Sequence, residues 1–249
     1  MSFTNKTAFV TGAGGGMGLQ IARDLMAAGA NVAMVDVKPQ PDCIPSGAGN
    51  FIYLKCDLTD DAAVKAAVAQ TVEAFGGIDL LANVAGVLWF ERDKSALDID
   101  LDIWDTVFRI NLKSMVHTTR HIAPHMKTAG GGAMVHFSTI QCLRGDNAPQ
   151  DAYQASKAGV IALSKSLAIQ LGGDKIRSNV ILPGPAQSPM QARWEGNADA
   201  VKGLSQIIPL GRVGQVSDMS NACLFLLSDK ASFITGTELV VDGGLLARP

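Results

Sequence analysis

The chain of 249 residues lacks a charge excess, because 21 Lys and Arg are balanced by 23 Asp and Glu. No block of like charges stands out, so the basic patch typical of nucleic-acid-binding proteins is missing. The sequence also lacks an apolar run close to the ~20 residues that span a bilayer, and Met1 is followed by polar residues, unlike a secretory signal. We therefore expect a soluble cytoplasmic protein whose partner is neither a nucleic acid nor a membrane.

Cysteine is scarce and scattered, and it forms neither a CxxC pair nor a spacing typical of zinc sites. The four cysteines are Cys43, Cys56, Cys142 and Cys223. This usage is typical of a chain kept reduced in the cytosol. The sequence also has no internal repeat and no linker rich in Pro, Gly or Ser, which favours a single domain spanning residues 1–249.

Short apolar runs alternate with longer amphipathic segments along the chain. Unbroken apolar runs are typical of strands covered on both faces. They predict strands at 6–11, 31–36, 51–56, 78–83, 132–138, 176–182 and 238–243. Helical patterns occur at 17–28, 60–75, 103–127, 153–171 and 216–227. The alternation predicts a doubly wound α/β fold, with a parallel sheet of about seven strands and helices on both faces.

The segment 183–212 is the least regular part of the chain and carries four prolines. A long segment without strong periodicity is more often functional than a plain connection. We predict that 183–212 forms a lid over the substrate.

Five glycines fall within TGAGGGMG at 11–18, between the first predicted strand and the first predicted helix. Such a loop lies at the carboxyl edge of the sheet, where helix N–H groups attract phosphate and glycines let the backbone approach it. The spacing G-x-G-x-x-G does not fit, because its third glycine position is Met17. Gly12, Gly16 and Gly18 fit a related spacing, which predicts pyrophosphate binding; alone, it is also compatible with a flexible turn without a ligand.

Asp36 ends the second predicted strand, which follows the glycine loop. At that place a carboxylate can accept hydrogen bonds from both hydroxyls of an adenosine ribose. It would repel a 2′-phosphate, and the glycine loop has no Lys or Arg to receive one. The sequence therefore predicts NAD rather than NADP as the cofactor.

Tyr153 and Lys157 lie four residues apart in YQASK, so they share one face of a predicted helix. A phenol has a pKa of about 10 and needs help to act as a base at neutral pH. A nearby ammonium group favours the phenolate, which can take a proton from an alcohol while hydride leaves for nicotinamide. Such pairs also occur by chance, so this pair gains weight from the motifs around it.

Several motifs together resemble, in order and spacing, the short-chain dehydrogenase/reductase family from about residue 6 to residue 244. They are TGAGGGMG at 11–18, NVAG at 83–86, Asn111 in RINLKS, Ser138-Thr139, YQASK at 153–157, PGPAQSPM at 183–190, and the C-terminal PLGRVGQVSD and TGTELVVDGG. The resemblance implies a Rossmann fold and a nicotinamide dinucleotide cofactor.

The same resemblance implies which residues hold the dinucleotide. Those at the pyrophosphate are Thr11, Gly12, Gly16, Met17 and Gly18. Those at the adenosine are Asp36, Asp57, Leu58, Asn83, Ala85 and Gly86. Those at the nicotinamide and its ribose are Tyr153, Lys157, Pro183, Gly184, Ala186 and Ser188.

For catalysis, the resemblance implies that Tyr153 is the acid/base and that Lys157 lowers the pKa of its phenol. Asn111 would hold a water that relays protons to that lysine. The family usually has a second serine where this chain has Thr139, one residue further from the tyrosine than the family spacing. We expect the Thr139 hydroxyl to orient the substrate oxygen, although a local slip would give that role to Ser138.

Four histidines have simpler interpretations. His117, His121 and His125 share one face of a predicted helix, but no acidic residue accompanies them as a metalloprotease motif requires. The family resemblance places them at a surface or a subunit interface, and we predict no metal. His136 lies in the fifth predicted strand and is expected to be a hydrogen-bonded core residue.

These features predict an NAD-dependent oxidoreductase that interconverts a secondary alcohol and its ketone, with a polyol, sugar or other hydroxylated small molecule as substrate. The family habit of pairing two helices, here 103–127 and 153–171, implies a homodimer or homotetramer. One alternative is a 3-ketoacyl-thioester reductase, against which Asp36 argues because reductive biosynthesis usually draws on NADPH. Another is a dinucleotide-binding regulator without chemistry, against which the complete catalytic set argues.

Overall fold

The computed structural model describes residues 1–42, 44, 49–146, 148–194 and 196–248. Its strands are β1 (Thr7–Thr11), β2 (Asn31–Asp36), β3 (Phe51–Lys55), β4 (Leu80–Asn83), β5 (Gly132–Phe137), β6 (Ile176–Pro183), β7 (Ala186–Gln187), β8 (Gly214–Gln215) and β9 (Glu238–Val241). Seven of them pair in parallel in the order β3-β2-β1-β4-β5-β6-β9, and β7 pairs with β8 separately. The predicted parallel sheet of about seven strands is confirmed.

The helices are α1 (Gly16–Ala27), α2 (Asp61–Phe75), α3 (Leu101–Phe108), α4 (Ser114–Thr128), α5 (Asp151–Leu171), α6 (Ala198–Ile207) and α7 (Val216–Leu227). A π-helical turn, Arg109–Lys113, joins α3 to α4 without a break. The single helix predicted at 103–127 is therefore one helical run with a wide turn in its middle. Among the described residues, no helix has the length and apolar character needed to cross a membrane.

Buried side chains alternate between the two faces of the sheet. Along β1, Ala8 and Val10 pack in a core with α1 and α7, whereas Phe9 packs on the opposite face with α2 and α4. Phe9 is fully buried, and burial of such a side chain stabilises a fold by roughly 1.5–3 kcal/mol. This two-sided burial explains why the strands are unbroken apolar runs.

The strand order reverses direction between β1 and β4. The chain continues from β1 towards β2 and β3 on one side, and from β4 towards β5 and β6 on the other. Loops that follow β1 and β4 therefore separate at the carboxyl edge of the sheet, where open α/β sheets bind their ligands.

The segment 183–212 is more regular than its sequence indicates. It contains β7, a 3₁₀ turn at Pro189–Trp194 and the helix α6, whose first turn is capped by the Asn197 side chain. Ile208 follows α6 and is buried in a core with Val160 of α5. Prolines flank α6 on both sides, and they hide its short helical pattern from sequence inspection.

Candidate active site

The glycines between β1 and α1 are required by close packing. Gly12 has a φ of +69°, and a Cβ there would lie 3.0 Å from the Cα and N atoms of Ala85. A Cβ on Gly18 would overlap the carbonyl oxygen of Gly12. No side chain among the described residues caps the first turn of α1, which leaves its N–H groups to an anion. The loop thus forms a cradle that fits a pyrophosphate.

Thr11 joins the two loops that separate at the edge of the sheet. Its hydroxyl oxygen accepts hydrogen bonds from the N–H groups of Val84 (3.0 Å) and Ala85 (3.1 Å). It also donates to the carbonyl of Ala82, in β4, at 3.4 Å. Thr11 therefore holds the loop after β4 against the glycine loop.

Asp36 lies beside the glycine loop at the end of β2. Its carboxylate accepts hydrogen bonds from the N–H groups of Gly14 (2.8 Å) and Lys38 (2.9 Å). A Cβ on Gly14 would lie 2.8 Å from the carboxylate carbon, so Gly14 is a contact residue that the predicted glycine spacing passed over. Each carboxylate oxygen keeps a further lone pair with which it can accept a ribose hydroxyl.

Asp57 and Leu58 follow β3 at the same edge of the sheet. Asp57 is exposed, and its carboxylate accepts a hydrogen bond from the N–H of Thr59 at 2.9 Å. Leu58 is buried, and its carbonyl accepts a hydrogen bond from Nδ1 of His117 at 3.0 Å. Both residues lie at the edge where the adenosine was expected.

Asn83 is buried and joins β4 to its neighbours. Its amide donates to Nδ1 of His136 at 3.1 Å and accepts from the hydroxyl of Thr118 at 2.9 Å. These bonds fit the expected steadying of the central strand. The expectation for His136 is wrong in part, because its Nε2 has no hydrogen-bond partner among the described residues. Burial lowers the pKa of His136 to about 4.

Lys157 is 3% exposed on α5, and its Nζ donates a hydrogen bond to the carbonyl of Phe137 at 2.8 Å. Burial lowers the pKa of this amine to about 8. A Cβ on Gly86 would lie 3.0 Å from Nζ and 3.2 Å from Oδ1 of Asn111. Gly86 thus lies close to both the lysine amine and the asparagine side chain, where a larger residue would be crowded.

Tyr153 is 7% exposed, one turn of α5 before the lysine. Burial raises the pKa of its phenol, the neighbouring Cys142 raises it further, and a hydrogen bond with the Thr139 side chain lowers it. The net direction is opposite to the predicted lowering by Lys157. That expectation is wrong for the chain by itself, because desolvation outweighs every favourable contact of the phenolate.

Ser138 and Thr139 occupy different surroundings at the end of β5. The Ser138 hydroxyl donates to the backbone carbonyl of Lys157 at 2.8 Å and lies 3.4 Å from Sγ of Cys142. It therefore anchors β5 to α5. The Thr139 side chain lies close enough to the phenol of Tyr153 to lower its pKa.

Asn111 lies in the π-helical turn between α3 and α4 and is fully buried. Its Oδ1 accepts a hydrogen bond from the N–H of Val87 at 2.7 Å. Its Nδ2 donates to the Val87 carbonyl at 3.0 Å and to the Ser156 hydroxyl at 3.2 Å. Asn111 thus fixes the loop after β4 to the catalytic face of α5.

The predicted nicotinamide residues lie in the stretch that leaves β6. Gly184 packs tightly, since a Cβ there would lie 2.6 Å from the Cα of Asp242. Ala186 pairs with Gly214 in the small sheet, and Ser188 follows it, with Pro183 at the end of β6. The residue after Ser188 is Pro189, whose Cδ would lie 3.3 Å from a Cβ on Gly16, so the segment returns to the glycine loop.

Asp93 belongs to the site, although the sequence gives no sign of it. Its carboxylate accepts hydrogen bonds from the backbone N–H groups of Ala152 (3.1 Å) and Tyr153 (2.8 Å) at the start of α5. In the sequence it reads as one more charged residue of the loop FERDKS. Its partners lie about sixty positions away, so no local pattern could have revealed it.

The described residues contain no group of three or more His, Cys, Asp or Glu able to hold a metal. On α4, His121 Nε2 lies 3.0 Å from the Asp61 carboxylate of α2, and His117 is buried against the carbonyl of Leu58, in the loop before α2. The expected surface or interface position is therefore wrong for His117. Cys56, Cys142 and Cys223 are free thiols, and Cys43 lies outside the described residues.

Known proteins resemble this chain over nearly its whole length. A family model described as enoyl-(acyl carrier protein) reductase matches residues 12–246. An uncharacterized oxidoreductase of Mycobacterium tuberculosis is 38% identical over 251 residues, which cover 99% of each chain. The cis-4-hydroxycyclohexanecarboxylate dehydrogenase of Sinomonas cyclohexanicum is 34% identical, covering 99% of this chain and 98% of that one. The 3-oxoacyl-[acyl-carrier-protein] reductase of Thermotoga maritima is also 34% identical, covering 99% and 100%.

Solved structures resemble the fold over its whole length. A short-chain type dehydrogenase/reductase from Mycobacterium ulcerans superposes with a TM-score of 0.89 at 29% identity, covering 100% of this chain and 92% of that one. A protein from Agrobacterium tumefaciens, solved with bound NADP, gives a TM-score of 0.88 at 32% identity and covers 99% and 98%.

Proposed function

Since this chain belongs to the short-chain dehydrogenase/reductase family, we propose that it is an NAD-dependent oxidoreductase interconverting a secondary alcohol and its ketone. One observation carries the proposal: Tyr153 and Lys157 are both buried on one face of α5, one helical turn apart. A binding protein without chemistry has no need of this arrangement. The single domain 1–249 would carry the whole activity.

The glycine cradle and the edge of the sheet fit a dinucleotide. The residues that would hold it are Thr11, Gly12, Gly16, Met17, Gly18, Asp36, Asp57, Leu58, Asn83, Ala85, Gly86, Tyr153, Lys157, Pro183, Gly184, Ala186 and Ser188. Gly14 joins this set, because its N–H holds the Asp36 carboxylate in place. When bound, the nicotinamide supplies the hydride acceptor for oxidation and the hydride donor for reduction.

The protein's own contribution is to hold the substrate oxygen and to move one proton. Thr139 can donate a hydrogen bond to that oxygen, which leaves the oxygen within reach of the Tyr153 hydroxyl. In reduction the neutral phenol gives its proton to the oxygen, and in oxidation the phenolate takes that proton back. The raised pKa of Tyr153 favours the phenol. Lys157, with its pKa lowered to about 8, is able to gain or lose a proton near neutral pH.

Asp36 supports NAD over NADP. A 2′-phosphate beside this carboxylate would face a like charge at short range, and the glycine loop offers no cation to compensate. The Agrobacterium tumefaciens neighbour was solved with NADP, so a related fold accepts the other cofactor. The ratio of kcat/KM for the two cofactors tests the preference: we expect NAD to be favoured, and a higher value with NADP would contradict it.

For the substrate, we propose a hydroxylated small molecule such as a polyol or sugar, and the Sinomonas cyclohexanicum relative adds cyclic alcohols to the candidates. A cavity of about 460 Å³ is lined by Trp89, Phe90, Glu91 and Arg92, in the loop after β4. The Arg92 guanidinium lies 4.6 Å from the centre of the Trp89 ring. This mixture of aromatic and charged side chains suits a ring that carries polar groups.

A 3-ketoacyl-thioester reductase is the second candidate. The Thermotoga maritima relative favours it, whereas Asp36 argues against the NADPH that such biosynthesis usually uses. A screen of polyols, sugars, hydroxy acids, cyclic alcohols and a ketoacyl thioester, with both cofactors, separates the candidates by absorbance of the reduced nicotinamide. Turnover of the thioester alone, with NADPH, would favour the reductase. No turnover at all would favour a dinucleotide-binding regulator.

We also propose that 183–212 acts as the substrate lid, because it runs from the end of β6 back to the glycine loop. The chain would act as a homodimer or homotetramer that pairs through the helical run at 101–128 and through α5. Leu101, at the start of α3, and Ile169, near the end of α5, are large apolar side chains that are mostly exposed in one chain. Covering them with a second copy would remove this apolar surface from water.

A further inference from the structure

We propose that Asp93 is a positioning residue for the Tyr153 phenol, holding the first turn of α5 and the loop after β4 as one unit. This inference rests on the proposed function for its catalytic meaning. The claim that Asp93 fixes the position of the phenol does not depend on which reaction the protein catalyses.

The carboxylate of Asp93 acts as the cap of the catalytic helix. It accepts hydrogen bonds from the N–H of Ala152 and from the N–H of Tyr153 itself. Gln150, the residue before α5, makes no side-chain cap of its own. Helix N–H groups in the first turn have no partner within the helix, so Asp93 satisfies donors that would otherwise be buried and unpaired.

Asp93 is only 1% exposed. Burial raises the pKa of its carboxyl, and the bonds from Tyr153 and Ala152 lower it. A buried carboxylate is unfavourable unless it is well hydrogen-bonded. The chain nevertheless retains one here, directly beneath the residue that carries the proposed chemistry.

A second contact binds the same two segments in the opposite direction. The carboxylate of Asp151, in the first turn of α5, accepts a hydrogen bond from the N–H of Ala96 at 2.7 Å. The N–H of Asp151 donates to the carbonyl of Lys94 at 3.4 Å. Each segment therefore supplies a carboxylate to the backbone of the other. The first turn of α5 and the loop after β4 are held together by bonds in both directions.

The other side-chain caps of this protein are local in sequence. Among the described helices, α2 is capped by Asp60, α3 by Asp100 and α6 by Asn197, each directly before its helix. The helix α7 has a local capping box made by Gln215 and Asp218. Among the described helices, only α5 takes its side-chain cap from a distant loop, and that loop also lines the cavity at Trp89–Arg92. The arrangement couples this loop to the backbone of Tyr153. A misplacement of about 1 Å can lower a rate by about 10²-fold.

The kinetic test compares Asp93→Asn and Asp93→Ala with Asp60→Asn, which alters a two-bond cap on α2. Asparagine keeps one acceptor and alanine keeps none. With an alcohol that the wild type oxidises, we expect kcat to fall in the order wild type, Asn, Ala, by about 10²-fold in the last. NADH affinity, measured by fluorescence titration, should stay within about twofold, and Asp60→Asn should keep its kcat. A fall in melting temperature with unchanged kcat would show a merely structural cap and overturn the proposal.

A second readout needs no substrate. The chain has two tyrosines, Tyr53 and Tyr153, so 3-fluorotyrosine labelling gives two ¹⁹F resonances that Tyr53→Phe assigns. Asp93→Asn should shift or broaden the Tyr153 resonance and leave the Tyr53 resonance in place. If both resonances coincide with those of the wild type, Asp93 does not position the phenol. If the wild type oxidises no alcohol, the proposed function fails, while these spectra still decide the role of Asp93.

Discussion

Replacing His136 by glutamine should make the free energy of unfolding less sensitive to acid, because His136 is a buried group that resists protonation. His136 is 0% exposed in β5, and its Nδ1 accepts a hydrogen bond from Asn83 while its Nε2 has no partner among the described residues. A second proton on this ring would place an unpaired charge in the core. Glutamine keeps an acceptor for the Asn83 amide and cannot take up that proton.

The size of the effect follows from linkage between proton binding and folding. The pKa of His136 is lowered to about 4, whereas a histidine in the unfolded chain titrates near about 6.5. The free energy of unfolding is therefore unaffected by this group above pH 6.5 and decreases as the pH falls, because the unfolded chain binds the proton first. The decrease amounts to about 2 kcal/mol at pH 5 and about 3 kcal/mol at pH 4.

Urea unfolding of both proteins, followed by circular dichroism at pH 7, 6 and 5, measures this difference. Because the substitution also changes packing at every pH, the informative quantity is how the free energy of unfolding of each protein changes with pH. We expect the wild type to lose about 2 kcal/mol more than His136→Gln between pH 7 and pH 5. Parallel pH dependence of the two proteins would show that the buried imidazole does not resist protonation.

Three further predictions concern the site. Thr139→Ala should lower kcat by about 10²-fold or more. Ser138→Ala should mainly lower the free energy of unfolding, by about 1 kcal/mol. If kcat instead falls in Ser138→Ala and urea unfolding shows the loss of stability in Thr139→Ala, the working hydroxyl is that of Ser138. Asp36→Asn should raise the NADP-to-NAD ratio of kcat/KM by about tenfold, a change of about 1.4 kcal/mol, and an unchanged ratio refutes that role. Gly18→Ala should abolish NADH binding in fluorescence titrations, whereas Gly77→Ala, which has open space around it, should not; equal affinities would contradict the cradle.

Most of the fold could be predicted because burial on both faces leaves a simple trace in the sequence. Strands such as β1 and β2 are unbroken apolar runs bounded by polar residues, and the helix α7 begins and ends where its pattern does. The helix α6 was missed because it is short and lies among prolines. The π-helical turn around Asn111 was missed because it keeps the apolar pattern of a helix while changing its geometry.

The site was predictable to the extent that its residues are close in sequence. The spacing of Tyr153 and Lys157 predicts one helix face, and the glycines of 11–18 predict a loop that leads into a helix; the structure has both elements there. The cap that Asp93 forms on α5 could not be predicted from the sequence, because it joins segments about sixty positions apart. The pKa of Tyr153 was misjudged for a similar reason: the lysine is visible in the sequence, whereas the burial that raises the pKa is a property of the assembled fold.

The central claim is that the phenol of Tyr153 exchanges a proton with the oxygen of a substrate. Tyr153→Phe removes one hydroxyl and keeps the ring, so it tests this claim with little disturbance of packing. With an alcohol oxidised by the wild type, we expect kcat to fall by about 10²–10⁴-fold, while NADH affinity changes little. A Tyr153→Phe variant that retains the wild-type kcat would contradict the account directly.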